Sequence, residues 1–317
     1  MSARAIVYAN GDVGVRCLSV LLAAGVDVPL VVAHASDAHE ALHFASVEAL
    51  ARAQGIEVVL PDDVNAPVML ERVAALAPDF IFSFYCRQLL GAPLLALARR
   101  GAWNMHGSML PRYRGRVPVN WAVIRGESET GATLHEMTVR ADAGAIVDQQ
   151  AVPILPDDTA FEVYRKVTVA AEIVLWRSLP GLLRGDAPRL QQDLSAGNYC
   201  GRRTPEDGRI DWRAPAREVH NLVRGVAPPY PGAHTELGTH TLRVLRTGRV
   251  PARHAMPGPA TLVFDAGACY FQCADGGVLQ LLEAELDGAP LAPPALHAAL
   301  GHPSSMPLPA AAPESAP

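Results

Sequence analysis

Asn104, His106 and Asp142 are the residues of this sequence whose types and spacing could do chemistry together. Asn104 and His106 stand two positions apart in Asn104-Met105-His106-Gly107-Ser108, and side chains two apart on a strand share a face. An amide donor and an imidazole base could then reach one reacting group, and a turn through Arg140-Ala141-Asp142-Ala143-Gly144 could bring a carboxylate to them. A neutral imidazole can take a proton from an amine that attacks a carbonyl-like centre. The asparagine N–H can donate to the oxygen that becomes negative, and the carboxylate can orient the imidazole and favour its charged form. The set holds no nucleophile, which points to transfer of a group between two bound molecules. Each residue also has a plainer reading: His106 as a hydrogen-bonded strand-end histidine, Asp142 as the first residue of an Asx turn.

Other candidates are weaker alone. Nothing activates Ser108 as an acyl nucleophile, and His135, alternating with Thr133 and Met137, reads as a satisfied inner-face histidine before a second base. Arg112, Arg114 and Arg116 are either a solvated loop or a set of guanidinium donors for an anionic substrate. Gly11 and Gly14 do not complete a dinucleotide fingerprint. Cys269 and Cys273 have no complementary Cys/His pair nearby in sequence, so no metal is expected. Phe82, Phe84 and Tyr85 read as core, with one aromatic near the strand end free to meet a flat ligand.

The elements that must position these residues follow an α/β pattern. Short apolar runs at Ala5–Ala9, Val28–Ala33, Glu57–Leu60, Phe80–Tyr85 and Ala102–His106 predict strands. Helical patterns between them, one running from about Glu40 to Gln54, predict βα units around a mostly parallel sheet. Such sheets bind ligands beyond the carboxyl ends of their strands, which is where His106 falls. Extended segments at Gly131–Met137 and Ala145–Pro153 precede a helix over Thr159–Leu183 that Pro180-Gly181 should interrupt. Beyond a break near Leu194–Thr204, a helix at Ala216–Val226 leads into short β patterns from Ala233 to Glu285, the outline of a small β-barrel. The expected divisions are residues 1–203, 204–302 and a disordered tail rich in Ala, Pro and Ser over 303–317.

The chain has 317 residues, half of them hydrophobic, enough for two cores. A net charge of −5, with Lys166 the only lysine, gives no global positive field for nucleic acid or anionic membrane. Five scattered cysteines form no disulfide framework, and no secretory leader or membrane segment is recognisable, so the expected compartment is the cytoplasm.

Taken in order, Asn104-Met105-His106-Gly107-Ser108, Leu110-Pro111-Arg112-Tyr113-Arg114-Gly115, Gly131-Ala132-Thr133-Leu134-His135-Glu136-Met137 and Asp142-Ala143-Gly144-Ala145-Ile146 resemble the folate-dependent formyltransferase family. The resemblance implies a Rossmann-like catalytic domain with an OB-like β-barrel behind it, and formyl transfer from 10-formyltetrahydrofolate to a primary amine by Asn104, His106 and Asp142, without a metal. Phe82-Ser83-Phe84-Tyr85-Cys86-Arg87, Cys200-Gly201-Arg202-Arg203-Thr204-Pro205 and Pro229-Tyr230-Pro231-Gly232 resemble the branch of that family acting on UDP-4-amino-4-deoxy-L-arabinose. That branch implies a role in aminoarabinose synthesis for lipid A and in resistance to cationic antimicrobial peptides. It implies folate near Phe84, Tyr85, Cys86 and Arg87, and substrate phosphates near Arg114, Arg202 and Arg203. The decarboxylase joined to this activity elsewhere in the branch would come from a separate protein. Methionyl-tRNA formylation is the main alternative, but ten arginines against ten acidic residues from Arg202 to Ser305 suit tRNA poorly. Formylation of another nucleotide-linked aminosugar and a non-catalytic nucleotide-binding regulator are the other readings.

Overall fold

The near-continuous apolar runs of the first half become strands buried on both faces, the setting such runs require. A computed structural model describes residues 2–35 and 43–309. In it β1 (Arg4–Ala9), β2 (Asp27–Val32), β3 (Glu57–Val59), β4 (Phe80–Phe84) and β5 (Gly101–His106) lie parallel in the order β3-β2-β1-β4-β5, a doubly wound arrangement. Beyond β6 (Arg114–Gly115), β7 (Glu129–Glu136) and β8 (Ile146–Pro153) extend the sheet antiparallel from β5.

The helices of this half are α1 (Gly11–Ala23), α2 (Val47–Ala53), α3 (Pro67–Ala75), α4 (Ala92–Leu95), α5 (Pro118–Ile124) and α6 (Ala160–Arg184). Helix α1 begins directly after Asn10, with Gly11 taking φ +60°. Helix α2 starts at Val47 because the Ser46 hydroxyl caps it, accepting from the Ala49 N–H at 3.1 Å. The part of the expected helix before residue 43 lies outside the described residues. The predicted interruption at Pro180 does not occur: α6 runs through it to Arg184. Only one amide donor is lost there, one turn from the end, where neighbouring bonds hold the helix.

In the second half α7 (Ala216–Val226) matches its expected span and sets Val219, Val223 and Val226 in the core with Leu242, Val244 and Phe271. Strands β10 (Ala233–Leu237), β11 (His240–His254), β12 (Thr261–Asp265), β13 (Ala268–Gln272) and β14 (Gly277–Leu286) form an antiparallel half-barrel. β15 (Ala289–Leu291) pairs with β14, and β16 (Ser305–Pro307), which follows α8 (Pro293–Ala299), pairs with β12. The expected tail is therefore too long: Ser305–Pro307 is a strand and Leu308 is buried, while residues 310–317 lie outside the described residues.

Contacts divide the chain into two units more finely than a cut after residue 203. One holds residues up to Pro118, Glu129–Pro153 and Tyr164–Gly201. The other holds Val119–Ser128, Ile154–Val163 and the described residues from Arg202 on. Among the described residues no helix is long and apolar enough to cross a membrane.

Candidate active site

Strand β5 puts Asn104 and His106 on one face, and its antiparallel pairing with β7 sets His135 opposite Asn104 and Thr133 opposite His106. His135 Nδ1 lies 2.8 Å from the Glu136 carbonyl oxygen, which only accepts, so that nitrogen carries the proton. Its Nε2 is then an acceptor and receives an N–H from Asn104 Nδ2 at 3.0 Å. The same logic fixes His106. Its Nε2 donates to the Tyr113 carbonyl oxygen at 2.8 Å, leaving Nδ1 as the basic nitrogen, 3.6 Å from Asp142 Oδ1.

The segment that supplies the Tyr113 carbonyl is itself tied down. The Ser108 hydroxyl donates to the Arg112 carbonyl at 2.6 Å, and Thr133 Oγ1 donates to the Ser108 carbonyl at 2.6 Å. Gln149 Nε2 donates to the Leu110 carbonyl at 2.9 Å. Ser108 is fully buried and committed to this loop, which removes it as a nucleophile.

Asp142 reaches the two β5 residues from a backbone at φ +53°, the left-handed region that Asp tolerates better than most residues. Two residues later Gly144 is obligatory, because a Cβ there would stand 2.0 Å from the Glu136 carbonyl oxygen. The carboxylate accepts the Gly115 N–H at 2.8 Å through Oδ2, while Oδ1 faces Asn104 Nδ2 at 3.4 Å and His135 Nε2 at 3.4 Å. Burial pushes its pKa up, but the attraction of the carboxylate to the His106 and His135 imidazoles in their protonated forms, with the Gly115 N–H, outweighs burial and holds it well below the usual carboxylate range. Asn104, His106 and Asp142 thus converge. Asn104 has one N–H committed to His135; the other makes only a long contact and is the one available to an oxyanion.

The carboxyl ends of β1 and β4 meet where the Asn10 N–H donates to the Phe84 carbonyl at 3.0 Å. Phe84 itself is fully buried, its ring 5.6 Å from that of Phe82, so it offers a ligand no aromatic face, contrary to the sequence expectation. Side chains at the end of β4 come instead from Tyr85 (φ +60°), Cys86 and exposed Arg87. His34, which the sequence did not single out, accepts the Arg87 N–H at 3.1 Å and lies 3.5 Å from Cys86 Sγ. Burial pushes the Cys86 thiol up, against the backbone hydrogen bonds of Gln88 and Arg87 that pull it down.

Of the loop arginines, Arg116 is exposed and donates to the Arg87 backbone carbonyl at 3.4 Å, which ties the loop after β5 to the end of β4. Arg114 differs: it is 7% exposed, its Nη2 reaching the Leu194 carbonyl at 3.4 Å, so it is not presented as an open phosphate contact. Arg202 and Arg203 belong to the second unit. There burial lowers the Arg203 pKa, against Asp207 and Tyr230, which raise it. Among the described residues no group of three or more His, Cys, Asp or Glu side chains could hold a metal ion.

Two family models match the sequence: formyl transferase over residues 20–179, and the C-terminal domain of formyl transferases over residues 202–296. Among solved structures, an N-formyltransferase from Helicobacter canadensis in complex with folinic acid and dTDP-3-aminofucose has a TM-score of 0.72 at 19% identity, covering 89% of this chain and 99% of its own. A sugar 3N-formyl transferase solved in the presence of dTDP and 5-N-formyl-THF has a TM-score of 0.69 at 17% identity, covering 88% and 97%. HypX from Aquifex aeolicus in complex with tetrahydrofolic acid has a TM-score of 0.62 at 18% identity, covering 93% of this chain but 47% of its own. At such identities the structural likeness is one of fold.

Proposed function

The chain belongs to the formyl transferase family, and from that premise we propose that it moves a formyl group from 10-formyltetrahydrofolate to the 4-amino group of UDP-4-amino-4-deoxy-L-arabinose. The observation that carries the reading is the state of His106: its Nε2 proton is committed to Tyr113, and its basic Nδ1 stands beside an ionised Asp142.

His106 Nδ1 takes the proton released as the sugar amine attacks the formyl carbon, and the imidazolium so formed faces the Asp142 carboxylate. Asn104 turns its loosely held N–H toward the formyl oxygen as that oxygen becomes negative. When the tetrahedral centre collapses, His106 returns the proton to the departing folate nitrogen. The formyl group arrives already activated on its carrier, so the protein needs to orient, stabilise charge and move one proton. Tyr85, Cys86 and Arg87, with Arg116 bonded to the Arg87 backbone, form the region read as the folate side, where exposed arginines suit an anionic ligand.

The choice of UDP-4-amino-4-deoxy-L-arabinose rests on sequence resemblance. Formylation of another nucleotide-linked aminosugar is the second reading, favoured by the dTDP-3-aminofucose and dTDP in the two sugar formyltransferase structures of the same fold. Purified protein supplied with 10-formyltetrahydrofolate and, separately, the UDP aminosugar, dTDP-3-aminofucose and initiator methionyl-tRNA decides between them. Formylated product from the UDP aminosugar alone is expected. Product only from the dTDP sugar moves the assignment to that sugar, and product only from tRNA overturns the aminosugar reading.

A further inference from the structure

The segment after α6 runs back across the Asp142 turn and the loop that follows β5. An isolated antiparallel bridge joins Leu190 to Ile146, the two residues exchanging N–H···O bonds of 2.8 Å. Further on, β9 (Tyr199–Cys200) pairs with β6, and the Asn198 backbone and side chain receive the N–H groups of Arg114 and Tyr113 at 3.1 and 2.5 Å. Both ends of the segment are thereby pinned to the unit that holds the trio.

Between those anchors lies Gln192. Its Nε2 donates to the Asp142 carbonyl at 3.1 Å and to the Gly144 carbonyl at 2.6 Å. These carbonyls flank the turn that holds Asp142 at φ +53°. The remaining atom, Oε1, is buried without a hydrogen-bond partner, a cost the site carries while Nε2 keeps both bonds. Residues 180–201 fall between the two family matches, so neither assigns Gln192 a part.

We infer that Gln192 is a positioning residue for formyl transfer, holding the Asp142 turn in its left-handed form so that the carboxylate stays against His106, Asn104 and the Gly115 N–H. The inference deepens the reading of His106 as base and Asp142 as its partner. A non-Gly residue in the left-handed region has nearby alternatives, and a turn released from both Gln192 bonds can relax toward them. The carboxylate then swings away from a base whose charged form it supports. A misplacement of about 1 Å in such a set lowers turnover by about 100-fold.

Gln192→Met is the discriminating variant, because it keeps the side-chain volume and removes the donor. Hydrogen exchange of the 141–145 peptide, kcat and KM are measured on Gln192→Met, on the parent and on Arg184→Ala, a control at the exposed last residue of α6. In Gln192→Met, exchange in 141–145 should rise at least about tenfold and kcat should drop by about 10- to 100-fold with KM little changed. Arg184→Ala should match the parent in each. Unchanged exchange in folded Gln192→Met overturns the inference, as does a loss confined to melting temperature. The exchange readout needs no substrate. If the parent formylates no aminosugar, the functional reading fails while Gln192 is still decided.

Discussion

Replacing Asp142 by Asn tests the electrostatic heart of the site with little cost to the fold. Asn also accepts the left-handed backbone that Asp142 occupies at φ +53°, and its carbonyl can still receive the Gly115 N–H. What disappears is the charge 3.6 Å from His106 Nδ1. Two unit charges at that distance attract by about 5 kcal/mol at an effective dielectric of about 20, and by about 1 kcal/mol in water. Both side chains are largely buried, 7% and 14% exposed, which favours the larger figure. With the proton only part-way across in the transition state, a loss of about 2–4 kcal/mol is expected, or about 30- to 1,000-fold in kcat. Because the Asp142 pKa lies below the ordinary carboxylate range, the group stays ionised above about pH 4, so the loss should persist across the whole range from about pH 5 to about pH 9. Steady-state kinetics over that range, with circular dichroism to certify the fold, provide the assay. A folded Asp142→Asn protein with turnover within about threefold of the parent would refute the reasoning.

Gly144→Ala should destabilise strongly, by about 3 kcal/mol or more, because its Cβ would meet the Glu136 carbonyl at 2.0 Å; urea unfolding gives the figure, and native-like stability would count against the geometry. His220 gives a pH-dependent stability of opposite origin. It is buried, hydrogen-bonded to Thr247 at 2.9 Å and to the Pro156 carbonyl at 3.2 Å, and burial lowers its pKa, with Arg224 and Arg249 adding to the lowering and the Pro156 carbonyl and Asp157 opposing it. A histidine lowered on folding contributes stability that is full above its unfolded pKa near 6.5 and declines as pH falls through the window below it. The slope there is at most about 1.4 kcal/mol per pH unit. Urea titrations at pH 5 and 7.5 should show the decline in the parent and a smaller one in His220→Gln; equal declines would remove His220 as the cause.

Much of the fold was legible because its signals are local. The apolar runs of β1, β2, β4 and β5 and the span Ala216–Val226 are set by their own periodicity. The full length of β11 is not legible, because it passes through Pro251, which a continuous ladder would exclude; the residue sits where pairing with β14 is interrupted between Arg249 and His254. Ser305–Pro307 reads as tail sequence and becomes a strand only through pairing with β12. The trio was visible in its motif, whereas the parts that aim it were not. His135 reaches Asn104 across 31 positions, and Gln192 reaches Asp142 across 50. Their signal is a cross-strand register and a return segment, neither of which leaves a local pattern.

Formyl transfer itself can be followed by mass spectrometry of the UDP aminosugar incubated with 10-formyltetrahydrofolate and either the parent protein or His106→Ala. The parent should form the N-formyl sugar catalytically, and His106→Ala should lose about 100-fold or more in rate. A folded parent that leaves the amine unmodified, or a His106→Ala protein that turns over at the parent rate, would contradict the proposed transfer.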